Sequence, residues 1–183
     1  MKVMPKTIQA IGIDVYRDYI RTCSLNETYS SSILADIRFL PLKPKTFDAV
    51  LCLHTLEHIE KADGRKLLGF LEKVAKQKII ISIPVNFHPI RHKEYEDELE
   101  DTLQLHKSFW APEDFKRRGY RIIGYTFHLP LRNWVLTSKS NFLKILYEIA
   151  SSVLSPLVYF SPKSADYMVC VKNIINDSQS QFN

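Results

Sequence analysis

The sequence predicts an α/β fold, a mostly parallel sheet with helices packed against it. Apolar runs of strand length recur along the chain, and the intervals between them carry helical patterns. Two of the runs, AVLCL at 49–53 and IIISI at 79–83, are continuously apolar, as strands covered on both faces are. Polar clusters follow the strands directly, where open α/β sheets bind their ligands.

Taken in order, the predicted strands are 9–15, 32–36, 48–53, 78–83, 121–127 and 167–172. The helices are predicted at 17–25, 62–75, 112–118 and 141–154. In the second helix Leu67, Leu68, Leu71, Val74 and Ala75 fall at helical spacing and are expected to face the sheet. Pro112 suits a first helical position, and Gly119 suits a helix stop. The last helix opens the apolar stretch 142–160, which Lys144, Glu148 and Pro156 interrupt. Pro156 is expected to break it near its end, and a membrane span wants roughly 20 mostly apolar residues without charges. The stretch therefore reads as an amphipathic helix that covers the sheet or lies at an interface, with peripheral membrane contact as the alternative.

The 183 residues, 45% of them hydrophobic, suit one domain with a real core. That domain is expected over 1–175, ahead of a flexible polar tail at 176–183. No internal repeat is visible. A net charge of +5 permits an anionic partner without demanding one, because the charges cluster. The run 94–101 is acidic (EYEDELED), a mobile lid or plain solvent surface, and 116–121 is basic (KRRGYR). Cys23, Cys52 and Cys170 lack C-x-x-C spacing and read as reduced thiols. With no apolar leader visible at the N-terminus, a cytoplasmic location is expected.

The carboxyl ends of the strands sort the candidate residues. Asp14 can accept from both hydroxyls of a ribose, or can cap the helix that follows. Asp36 can accept from an adenine amino group while the backbone of Ile37 meets a ring nitrogen; the plain reading is a loop carboxylate. His54, Glu57 and His58 form H-x-x-E-H after a wholly apolar strand. If that segment turns helically they can converge on a divalent cation, with His106 as a further ligand. The plainer reading is that Glu57 and His58 shape the site and bond to backbone groups, so that no metal is held. Pro84 ends its strand, and 83–88 is expected to floor a substrate pocket. Phe109 and Trp110 either stack on a planar substrate or belong to the core.

Four segments carry a resemblance: IGIDVYRDYI (11–20), ADIRFLPLKPKTFDAVLCLHTLEHI (35–59), KIIISIP (78–84) and HKSFWAPEDFKRRGYRIIGY (106–125). Together they resemble the class I S-adenosylmethionine-dependent methyltransferases of the broad small-molecule type, the type 11-like group, and especially its uncharacterised archaeal members. The resemblance implies a Rossmann-like sheet, mostly parallel with an antiparallel last strand, and S-adenosyl-L-methionine as cofactor. It assigns Asp14 and Val15 to the ribose, Asp36 and Ile37 to the adenine, and His54 and Thr55 to the neighbourhood of the sulfonium. His54 or His58 is then the catalytic base.

One departure is large. The family's first strand, its helix and the glycine-rich loop that cradles the methionine part have no counterpart in the sequence. The five glycines lie too far apart for a G-x-G turn. Because the first strand is central in the family's sheet, its loss is expected to leave two apolar edges unpaired. A longer natural chain, a partner or second copy on the edges, or a rearranged sheet would each account for this.

Three functions compete. The leading one is methyl transfer to an unidentified acceptor. A non-catalytic relative acting as an oligomeric binding or scaffold protein is the second. The third rests on a similarity of H-x-x-E-H and 106–110 (HKSFW) to the metal-dependent methyltransferases of small-RNA 3′ ends, weakened by His54 standing where those have a glutamate. It implies RNA 2′-O-methylation, with a metal on Glu57, His58 and His106 and phosphates on the basic run. Nucleic acid is otherwise not indicated.

Overall fold

The computed structural model describes residues 8–26, 29–85, 98–127, 135, 137, 139–159 and 161–174. Its order is β1 (Ile11–Asp14), α1 (Arg17–Leu25), β2 (Ser31–Leu34), β3 (Phe47–Leu53), α2 (Lys61–Val74), β4 (Ala75–Pro84), α3 (Glu98–Gln104), α4 (Pro112–Lys116), β5 (Arg121–Phe127), α5 (Asn141–Val158) and β6 (Ala165–Asn173). Short 3-10 turns at Ile37–Phe39, Leu56–His58 and Pro162–Ser164 complete it.

The strands form two sheets. β1 and β2 pair in parallel, and β3-β4-β6-β5 form a separate four-stranded sheet. In the larger sheet β3 and β4 are parallel, and β6 runs antiparallel to both β4 and β5. This is the Rossmann-like arrangement with a reversed last strand, with β1 and β2 in a sheet of their own. Among the described residues no strand pairs with the outer edge of β1 or of β3.

Local chemistry explains the tight joints. α2 passes into β4 without a loop, since Ala75 is already extended. Two of the last carbonyls of α2, on Lys73 and Val74, accept the N–H groups of Lys45 and Thr46 at 2.9 Å. α4 starts with Pro112, and its Asp114 carboxylate accepts the Ala111 N–H at 3.0 Å. It stops before Gly119, whose φ of +80° suits a residue without Cβ.

The core lies between α2 and one face of the larger sheet. Leu67, Leu68, Leu71 and Val74 of α2, with Ala75, are buried as the spacing predicts. Leu67, Leu68, Leu71 and Ala75 pack with Ile79, Ile81, Ile83, Met168, Cys170 and Phe115, and each large apolar side chain so buried contributes on the order of 2 kcal/mol. Burial also pushes the Cys52 and Cys170 thiols up to about 12, which keeps them protonated and inert.

The structure corrects several expectations. AVLCL is not covered on both faces: Val50 and Cys52 pack inward, but Leu51 and Leu53 stay half exposed (51% and 50%). Among the described residues α2 is the helix that packs on β3, and it covers one face. Pro156 does not end its helix, which continues to Val158. A proline in the last turn costs little there, because few residues beyond it lose partners. The helix is amphipathic as expected. It packs on β5 and buries Tyr147 and Ser151, while Phe142, Ile145, Leu146, Ile149, Val153 and Leu157 remain exposed. No helix among the described residues is long and apolar enough to cross a membrane. The acidic run contributes the start of α3, whose Glu100 accepts the Tyr19 hydroxyl of α1 at 2.5 Å. The expected tail at 176–183, and 86–88 of the expected pocket floor, lie outside the described residues.

Candidate functional site

Two groups of predicted residues sit on two different sheets. Asp14 and Asp36 lie at the carboxyl ends of the neighbouring strands β1 and β2. Asp14 Oδ1 accepts the Tyr16 N–H at 2.8 Å, just before α1 begins. Val15 beside it is exposed. Asp36 caps the following 3-10 turn by accepting the Arg38 N–H at 2.9 Å, and it grips the Arg38 guanidinium at 2.5–3.0 Å. That side-chain hydrogen bond holds the Asp36 carboxyl below its ordinary value. Both acids are therefore already engaged within their own turns, and an adenine amino group at Asp36 has to compete with Arg38. Ile37 packs against the main core. Beside it, the turn and α2 enclose a depression of about 220 Å³ lined by Phe39, Asp63, Lys66 and Phe70 among others. That is smaller than a usual ligand pocket of roughly 300–1,000 Å³ and holds none of the histidines.

The second group gathers at the end of β3. His54 has φ of 49°, a left-handed backbone that a side chain seldom adopts. Its N–H donates to the Ser82 carbonyl at 2.9 Å, which carries the β3–β4 pairing one residue past the strand. The ring stays about half exposed (46%) at the end of the strand. Nε2 lies 3.2 Å from Ser82 Oγ, and Nδ1 lies 3.5 Å from Glu57 Oε1. Ser82 Oγ also meets the Tyr125 hydroxyl at 3.1 Å. Tyr125 stacks on Tyr167 at 5.3 Å, and Tyr167 stands edge-on to His54 at the same distance. A chain of polar contacts thus runs Glu57–His54–Ser82–Tyr125 across the carboxyl edge of the sheet. Thr55 is turned away from it, its hydroxyl donating to the Leu53 carbonyl at 3.0 Å.

Glu57 and His58 are fixed from the other side by the segment after α3. The Glu57 carbonyl accepts the Lys107 and Ser108 N–H groups at 2.7 and 3.1 Å. The Leu56 carbonyl accepts Ser108 Oγ at 2.9 Å, and Trp110 Nε1 donates to that same Oγ at 2.9 Å. Trp110 is 1% exposed, so it is a core residue and not a platform for substrate; Phe109 beside it is exposed. The stitching brings His106 to His58, with ring centroids 5.0 Å apart.

Ser82, Tyr125 and Tyr167 escaped the sequence reading. They come from three strands and share no local motif. Only the antiparallel register, which sets Tyr125 opposite Tyr167 and Val169 opposite Ser82, puts them together.

The fold defines a class, a Rossmann-like sheet of the kind seen in methyltransferase structures, here with polar residues at its carboxyl edge. A family model described as a methyltransferase domain matches residues 2–82. The chain is similar over 91% of its length to a methyltransferase structure from Archaeoglobus fulgidus, at 19% identity and a TM-score of 0.55, covering 76% of that chain. A possible histamine N-methyltransferase from Thermotoga maritima is similar at 15% identity and a TM-score of 0.54, over 92% of this chain and 73% of that one. An uncharacterised protein of Methanocaldococcus jannaschii is 29% identical over 121 residues, which are 66% of this chain and 49% of that protein. The chain therefore spans about half the length of this curated relative. The match of the methyltransferase-domain model to the first part of the chain, with the fold shared with these structures, is what the chain has in common with the class I S-adenosylmethionine-dependent methyltransferases.

Proposed function

We propose that the chain binds S-adenosylmethionine and takes part in methyl transfer to an acceptor, with His54 as the base. The observation that carries this reading is the placement of His54 at the carboxyl edge between Glu57 and Ser82. A carboxylate facing Nδ1 favours the tautomer in which Nε2 accepts a proton. When an acceptor hydroxyl or amine attacks the sulfonium methyl, its new bond to carbon forms as the carbon–sulfur bond breaks. Its proton then passes to Nε2 directly or through Ser82. The sulfonium is intrinsically reactive, so positioning is the larger part of catalysis.

The adenosine half of the cofactor has fitting residues, Asp14 for the ribose and Asp36 with Ile37 for the base. For the methionine half, no glycine turn is found among the described residues. Calorimetric titration of the full chain with S-adenosylmethionine tests the reading; absence of binding overturns it for this chain. Asp14→Asn keeps an acceptor for the Tyr16 N–H but removes the charge. Affinity for the cofactor is expected to fall about tenfold, the worth of one charge-assisted hydrogen bond, with the melting temperature little changed.

A second reading is favoured by the edges of β1 and β3 that pair with no strand among the described residues, and by the half-exposed Leu51 and Leu53. Exposed apolar strand edges recruit further strands, so a non-catalytic, self-associating role suits this surface. Light scattering after size exclusion separates the two: a monomer that binds cofactor supports the first reading, and an oligomer that binds none supports the second.

A further inference from the structure

We propose that Glu57, His58 and His106 hold a divalent transition-metal cation. One ligand atom from each lies within 4.8 Å of the others. Around a cation with bonds of 2.0–2.2 Å, neighbouring ligand atoms sit roughly 3–3.5 Å apart, so small side-chain rotations close the set.

Three independent features point the same way. Glu57 is 2% exposed, and its Oε2 has no hydrogen-bond partner among the described residues. An ionised carboxylate can only accept, and leaving a buried acceptor unmet is costly. A cation meets it. Next, the Nδ1 of His58 lies 3.3 Å from the Leu105 carbonyl. A carbonyl only accepts, so Nδ1 carries the proton and Nε2 keeps the lone pair that binds metal; ligating histidines are oriented in this way. Finally, the hydrogen bonds from Lys107 and Ser108 to the Glu57 carbonyl clamp the segment of His106 against the turn that carries the other two ligands. The geometry is therefore held by backbone and does not depend on surface side chains.

Two imidazoles and one carboxylate suit zinc, manganese or iron(II), whereas magnesium and calcium take oxygen ligands. Three protein ligands leave at least one position open to water. The inference does not rest on the methyltransferase reading, and its test contains no S-adenosylmethionine, so either can fail alone.

The full, untagged chain is stripped with a chelator and titrated with Co2+, whose visible absorption reports coordination. One equivalent is expected to bind, with bands of a nitrogen–oxygen site and a rise in melting temperature that saturates at the same equivalence. His106→Ala and His58→Ala are expected to lose about a hundredfold or more in affinity while their far-ultraviolet circular dichroism is kept. No bands and no thermal shift in the wild-type chain overturn the proposal. So does binding that both folded variants retain. If either variant fails to fold, the wild-type stoichiometry and thermal shift still decide the matter.

Discussion

Trp110→Ala is expected to lower stability by about 3–5 kcal/mol, the cost of emptying a large buried aromatic site. Domains of this kind have on the order of 5–15 kcal/mol in total, so the variant sits at the edge of folding. Several contacts go at once. The ring lies against Phe115 at 5.5 Å, and Lys61 Nζ sits 3.7 Å above its face. Burial pulls the Lys61 ammonium below its ordinary pKa, an effect that its hydrogen bond to Asp114 offsets in part. The indole N–H also donates to Ser108, which in turn holds the Leu56 carbonyl. No neighbour can fill the space cheaply. α2 has already come as close as a glycine permits, since a Cβ on Gly64 would stand 2.4 Å from the indole ring. Urea unfolding followed by circular dichroism reads the loss; a midpoint within experimental error of wild type would show that the ring is not a core element.

Glu57→Gln is expected to act in the opposite direction. Measured without divalent cations, the substitution raises stability by about 1–3 kcal/mol, because a neutral amide is cheaper to bury than a carboxylate. The amide keeps an oxygen to face His54 and removes the buried charge at Oε2. Buried groups that cost stability and sit beside histidines are typical of sites kept for function. The same variant should lose cation affinity, so that added metal stabilises the wild-type chain and leaves the variant unmoved. A destabilised Glu57→Gln in metal-free buffer would mean that the carboxylate already has its charge compensated, with His54 the partner.

Much of the fold was legible in the sequence because its signals are local. The helix 17–25 coincides with α1, and the strand at 121–127 with β5. The apolar spacing of α2 marked the residues that are buried. Of H-x-x-E-H and His106, the structure gathers Glu57, His58 and His106, while His54 faces Glu57 and Ser82 outside that set. What the sequence could not carry depends on neighbours. AVLCL reads as a doubly covered strand because its composition says nothing of the helices packed on it. Pro156 reads as a helix stop because its cost depends on how many helical residues follow. Ser82, Tyr125 and Tyr167 acquire their meaning only from the register of β6 between β4 and β5. Trp110 left core and ligand platform open until the turn at Leu56–His58 fixed where its indole N–H donates.

The division of the sheet also governs how the molecule opens. Among the described residues β1, α1 and β2 share no ladder with the larger sheet, and α1 has no buried residue. A two-stranded unit of this kind is marginal by itself, so this part can unfold locally while the rest stays intact. Amide hydrogens in β1 and β2 should exchange orders of magnitude faster than those of Ile79, Ile81 and Ile83 in β4. Asp14 belongs to this labile unit, and Asp36 caps the turn that joins it to α2. Whatever binds them must also hold it shut, so protection of those amides is itself a titration of occupancy, readable before any product is identified.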